Sequence, residues 1–240
     1  MVAIQKNIVS SYIIIACFLV FIDFFFPAAV FAYFIKYLTT LSLFMISLLH
    51  KKRFREQKLM FVAQFFVVIA DYFFVLSRGF NAGQLTYFNK LIGTFCFFLA
   101  YIILIKAWGE RRNNNIRFNM LEIFIGLAVL LVLWPTVKLL APHLNLFVKL
   151  GALSFGVILC LLVWTGLCTR FRNYYGRTTS SLIGLASCLI FVSDLAVAHA
   201  SLNPIYSGHF VSWLSALIWI TYVPAWAIIV NVIINQNIYF

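Results

Sequence analysis

Long apolar runs, each close to twenty residues, recur along this chain and limit its fold more than any other feature. They cover residues 10–26, 30–49, 59–77, 87–108, 120–140, 146–168, 179–200 and 211–234. A helix rises 1.5 Å per residue, so about twenty apolar residues cross a hydrocarbon core ~30 Å thick. No water reaches that core, so every backbone N–H and C=O must be paired within its own segment, and a helix does this. The first two runs together approach forty residues, too many for one crossing, and Pro27 marks the turn between them. The expected fold is therefore all-α: a polytopic transmembrane helical bundle of about eight spans, filling residues 1–240 as a single transmembrane domain. The composition agrees. Charged residues are 10% of the chain and hydrophobic ones 64%, whereas a soluble domain carries roughly a quarter charged.

The net charge of +12 raises the question of nucleic acid, and the placement of the charges answers it. The basic residues form short clusters between apolar runs rather than one basic face, so no nucleic-acid partner is expected. The loops after the second, fourth and sixth runs hold Lys51, Lys52, Arg53, Arg55 and Lys58, then Lys106, Arg111, Arg112 and Arg117, then Arg170, Arg172 and Arg177. The opposite loops hold Arg78 alone. The positive-inside rule then places both termini in the cytoplasm. The density of Phe and Tyr and the compact loops fit a bacterial inner membrane. The first run lacks a basic leader and a small-residue cleavage pattern, so it reads as a retained span. Cys17, Cys96, Cys160, Cys168 and Cys188 all fall in or beside apolar runs without a CxxC, and imply neither a disulfide nor a metal site. No cofactor motif is present: there is no GxGxxG, P-loop, HExxH or GxSxG.

Two carboxylates lie deep within the apolar runs, away from their ends. Asp71 lies in FVAQFFVVIADYFFVLSRGF (61–80) and Asp194 in SSLIGLASCLIFVSDLAVAHAS (180–201). An ionised group at membrane depth costs at least ~2.5–3.5 kcal/mol on insertion scales, so each is a candidate functional residue. Both spans run outward and both acids fall about two thirds of the way along, at nearly one level. Gln64, Asp71 and Arg78 are spaced by seven, as are Ser180, Ser187, Asp194 and Ser201, so each acid sits on one helical face with other polar groups. Gly184 and Ala198 lie close to the second stripe, and small and hydroxyl residues mark the buried faces of membrane helices. Two carboxylates sharing a low-dielectric pocket do not ionise alike, which leaves one protonated acid and one base for hydrolysis without a metal. Lys36, Lys90, Lys138 and Lys149 fall near the outward ends of their spans; Lys138 and Lys149 read as snorkelling, while Lys36 and Lys90 sit where an acidic cavity needs a counter-charge. His199 and His209 lie at the outer end of the seventh span and in the loop after it.

Several pieces of the chain, taken in order, carry a family pattern. They are Phe34-Ile-Lys-Tyr-Leu-Thr-Thr40, Ala70-Asp-Tyr-Phe-Phe74, Ala82-Gly83 leading to Phe97-Phe-Leu-Ala-Tyr101, Phe191-Val-Ser-Asp194 between Gly184 and Ala198, and Tyr222-Val-Pro-Ala225. In order and spacing they resemble the YhhN-type lysoplasmalogenase family across nearly the whole chain. That resemblance implies hydrolysis of the vinyl-ether bond of a lysoplasmalogen, giving a fatty aldehyde and a glycerophospho-alcohol. It implies Asp71 and Asp194 as the catalytic pair, one protonating the vinyl ether and the other activating water. The lysophospholipid would come in from the side, out of the membrane, and Lys36, Lys90, Tyr101, His199 and Tyr222 would bind it. The chain departs from the family pattern at Ala70, where Gly is common, at Tyr37, where Pro is frequent, at Tyr101, where His is usual, and at Trp226, where Gln is common.

Two other readings compete. One is a non-catalytic membrane subunit or lipid-binding protein whose aspartates and lysines hold helices together. The other is a transporter, although no internal repeat and no broken pair of helices is visible. The first is distinguished by the partners of the acids: a Lys or Arg against each favours structure over chemistry.

Overall fold

The computed structural model describes residues 2–80, 86–109, 120–207 and 209–239, with side chains from residue 7 onward. The basic stretch 110–119, the Gly-bearing stretch 81–85 and Gly208 lie outside the described residues. Helix accounts for 87% of the structure, and no strand occurs among the described residues. The helices are α1 (Val2–Phe25), α2 (Val30–Leu49), α3 (Arg55–Asp71), α4 (Ser77–Phe80), α5 (Tyr87–Gly109), α6 (Met120–Leu140), α7 (Leu146–Arg172), α8 (Arg177–Leu202) and α9 (Ser212–Ile234). A π-helical turn, Tyr72–Leu76, joins α3 to α4, so that Arg55–Phe80 is one continuous span. Among the described residues, eight helices are long and apolar enough to cross a membrane.

Several helices outrun their apolar cores. The third span begins at Arg55 rather than 59 and ends at Phe80 rather than 77, and the sixth and seventh run to Arg172 and from Arg177. Charge limits the apolar slab but not the backbone hydrogen-bond ladder, so the helix continues while Arg side chains reach for headgroups. The turn at Pro27 is tight. Ala28 sits there at φ 58°, a left-handed conformation rare for a residue with a Cβ.

α9 is the centre of the bundle, with 78% of its apolar window buried against 11% for α6. It packs on α1, α2, α3 and α8, while α5 links α3 to α7, and α6 lies outside on α7. α1 therefore meets the last helix of the chain far more than its neighbour α2. Two close crossings hold the ring. At the first, a Cβ on Gly166 of α7 would lie 2.5 Å from Ser187 Oγ of α8, and at the second a Cβ on Gly93 of α5 would collide with the Phe74 ring. Small residues let membrane helices approach in this way. At the end that carries the termini, Gln57 Nε2 donates to Asn235 O at 2.5 Å and Gly176 N donates to Ile238 O at 3.0 Å. The C-terminal segment thus ties the first turn of α3 and the loop before α8 to the end of α9.

Candidate functional site

Asp71 is the last residue of α3, directly before the π-helical turn, and is 2% exposed. Single π turns within α-helices frequently mark functional positions. Thr40 of α2 donates to Asp71 Oδ2 at 2.7 Å, and the Tyr222 hydroxyl of α9 donates to the same oxygen at 2.8 Å. Thr40 and Tyr33 lie seven apart on α2, as Asp71 and Arg78 do on the third span. The register matches, because Arg78 meets the Tyr33 hydroxyl one level further out. The polar stripe through Gln64, Asp71 and Arg78 is therefore a face turned to the interior; Gln64 is 1% exposed and its amide completes no hydrogen bond.

Asp194 lies in the middle of α8 on the stripe that buries Ser180 and Ser187. The residue is half-buried, with its Oδ2 enclosed. Its carboxylate faces the hydroxyl of the fully buried Tyr101 of α5, which donates towards it. α3 and α8 share no packed seam. The two acids meet instead through Tyr222 and Tyr101, each within electrostatic reach of both carboxylates. The charge of Asp71 also reaches Asp194 directly. Around them the rings of Phe97, Trp219 and Trp226 lie 6.3, 5.6 and 6.3 Å from that of Tyr222. This apolar cage raises the strength of every interaction inside it.

Neither acid has a Lys or Arg partner among the described residues. Lys36, one helical turn outward of Thr40, is 2% exposed and donates to Asp23 Oδ1 at 2.6 Å and to Ser215 Oγ at 3.1 Å. Its ammonium lies 5.3 Å from the centre of the Trp219 ring, within cation–π range. It does not snorkel, and Asp23 supplies its counter-charge.

The structure thus gathers Asp71, Asp194, Tyr101 and Tyr222 in one place, with Lys36 a turn above. It leaves the other two expected contacts apart from them. Lys90 is exposed on the first turn of α5, and His199 is half-buried further out on α8, with Nδ1 3.5 Å from Asn203 Nδ2. Thr40 and Asp23 belong to the site without having been singled out in the sequence. Thr40 falls at the i+4 position from Lys36 in an apolar helix, and Asp23 lies just before Pro27 at the depth of Lys36.

A bundle of eight membrane-length helices with two carboxylates in its interior, Asp71 buried and Asp194 half-buried, defines a polytopic membrane protein with intramembrane acids. The family model of the YhhN family matches residues 31–233, most of the chain, and the protein belongs to that family. No curated protein and no solved structure matches it.

Proposed function

We propose that this protein is an intramembrane hydrolase of the lysoplasmalogenase kind, cleaving the vinyl-ether bond of a lysophospholipid with Asp71 and Asp194. The observation that carries the reading is that the two acids share one enclosed cluster while the nearby lysine is neutralised elsewhere, by Asp23. Were the aspartates structural, Lys36 would be the natural partner for one of them.

The roles follow from the hydrogen bonds. Asp194, which faces the single hydroxyl of Tyr101 where Asp71 accepts from two, is the acid: its proton adds to the outer carbon of the vinyl ether, and the carbon bonded to oxygen becomes an oxocarbenium ion. Asp71, oriented by Thr40 and Tyr222, takes a proton from water as the water adds to that carbon. The hemiacetal then collapses. Its hydroxyl proton returns to Asp194, Asp71 protonates the departing glycerol oxygen, and an aldehyde and a glycerophospho-alcohol leave with both acids reset. Tyr101 and Tyr222 position the acids and border the reacting bond, and Lys36 contributes its positive charge from one turn away. In this reading the protein sits in a bacterial inner membrane with both termini cytoplasmic, as the loop charges require.

The test is aldehyde release from 1-alkenyl lysophosphatidylethanolamine by the purified protein in nanodiscs. Asp71→Asn and Asp194→Asn each bring release to background, with unfolding temperatures close to that of the parent. Asn is a fair probe because its carbonyl still accepts from Thr40 and Tyr222. A variant that keeps near-parent turnover overturns the paired-acid mechanism. A lipid-binding role without turnover is the second reading, favoured by Tyr101 standing where the family usually has His. Absence of aldehyde from every vinyl-ether lipid, with the protein folded, would select it.

A further inference from the structure

Polar contacts pin the N-terminal end of α6. Arg172 of α7 donates from Nε and Nη2 to the two carboxylate oxygens of Glu122 at 2.8 and 2.9 Å, and Trp164 Nε1 donates to the Glu122 carbonyl at 2.8 Å. From Leu133 onward, α6 borders a shallow groove of about 70 Å³, open at the side, whose other walls are α7 and α8. Pro135 lies in this half, where it removes one backbone hydrogen bond from the helix. The walls are largely aliphatic, from Leu133, Leu140, Leu159 and Ala198, with two charged exceptions, Asp194 and Lys149.

These exceptions lie at opposite ends. The crossing of Gly166 with Ser187 sets the antiparallel register of α7 and α8, so that Asp194 is level with Leu159 and Lys149 stands ten residues further out, about 15 Å. Neither charge has an ion-pair partner among the described residues: Asp194 faces only the Tyr101 hydroxyl, and the half-exposed Lys149 ammonium makes no hydrogen bond. The deep end adjoins the acid cluster, because Phe155 lines the groove and its ring lies 5.7 Å from that of Tyr101.

We infer that this groove binds a single-chain phospholipid, with its phosphate on Lys149 and its first chain carbons against Asp194. The inference rests on the hydrolase reading for what happens at Asp194, and adds the path and the headgroup contact. A lysine side chain and a glycerophosphate together bridge the distance between the two charges, and the hydrocarbon tail follows the aliphatic wall past Asp194. Lys149 is the headgroup residue, while Lys36, buried on Asp23, does not touch the lipid. The Pro135 half of α6, which borders the open side of the groove, is the side from which the lipid comes in.

The experiment pairs binding with turnover. Binding is measured with 1-O-hexadecyl lysophosphatidylethanolamine, a saturated ether with no vinyl bond to cleave, and turnover with the 1-alkenyl lipid. Lys149→Gln weakens binding and raises KM about tenfold or more, the loss expected for a hydrogen bond between charged groups, with kcat little changed; Lys149→Arg restores both. Ala198→Trp fills the groove and abolishes binding; Ala152→Trp, on the α7 wall, replaces it if the unfolding temperature shows that the first variant is misfolded. Neither Lys149 variant changes the weak binding of hexadecylglycerol, which lacks the phosphate. Aldehyde release that ignores both Lys149→Gln and the Trp variants overturns the groove and leaves the hydrolase standing. Lys149-dependent binding without any aldehyde does the reverse. A diacyl phosphatidylethanolamine that binds as tightly as the ether probe overturns the single-chain assignment.

Discussion

Asp71 Oδ2 accepts two hydroxyl hydrogen bonds, from Thr40 and Tyr222, whereas Asp194 faces the hydroxyl of Tyr101, a difference set by single side chains. Tyr222→Phe leaves Asp71 with Thr40 alone. A hydrogen bond to a charged acceptor is worth about 1.5–3 kcal/mol, so kcat for aldehyde release should fall tenfold or more while the fold persists. The ion pair above the site behaves differently. Asp23→Asn leaves the Lys36 ammonium buried without its counter-ion and should lower stability by about 3–5 kcal/mol, read as a fall in unfolding temperature in detergent. Asp23→Leu with Lys36→Met should recover most of that loss, since an apolar pair of similar volume carries no desolvation penalty. The two intramembrane aspartates were legible in the sequence because the cost of placing a charge in hydrocarbon makes them conspicuous. Their partners were less so. Threonine in a membrane helix ordinarily bonds its own backbone, as Thr39 does to Ile35 O at 2.9 Å, so nothing marked Thr40 as the one turned to Asp71. Asp23 lies across the Pro27 turn, near the end of its span, where a carboxylate reads as an interfacial group.

At the level of helices, the stripe of Ser180, Ser187 and Asp194 foretold which face of α8 is buried, and the structure sets that face on α7 and α9. The opposing surface was harder to read. α7 carries small residues all round and little periodicity, so Gly166 did not stand apart from Gly151 or Gly156. The structure separates them: a Cβ at Gly166 meets Ser187 Oγ at 2.5 Å, and at Gly151 it meets nothing within 4 Å. The same substitution at two sites of one helix should therefore diverge. Gly166→Ala should cost about 1–3 kcal/mol by overpacking and should push α8, with Asp194, away from Tyr101. Gly151→Ala should be neutral or should gain up to ~1 kcal/mol from helix propensity. Thermal unfolding in detergent reads both, and equal effects would contradict the close crossing. The π-helical turn after Asp71 was not legible, because Tyr72–Leu76 is as apolar and aromatic as the residues around it.

For the whole molecule, hydropathy announced the number and order of spans but could not name their neighbours, since an apolar helix carries no label for its partner. That is why equal depth permitted a shared acid site without establishing one. The answer lies in α9, which packs on α3 and on α8 and whose Tyr222 stands between the two acids. Depth has a further consequence. Asp71 lies sixteen residues from Arg55 and nine from Phe80, and Asp194 seventeen from Arg177 and eight from Leu202. The acids are thus about 25 Å from the end of the bundle rich in Arg and Lys and about 13 Å from the other. In the proposed orientation, with the basic end cytoplasmic, lipid in the outer leaflet reaches the site directly, and lipid in the inner leaflet must first cross. Lysoplasmalogen added to right-side-out vesicles should be hydrolysed without a lag, and inside-out vesicles should lag until detergent opens them. Equal initial rates in the two preparations would contradict either the orientation or the outward position of the acids. Labelling of a cysteine introduced at Asn237 in the same vesicles separates those causes. It is protected in right-side-out vesicles if the termini are cytoplasmic, so protection together with equal rates would locate the error in the depth of the site.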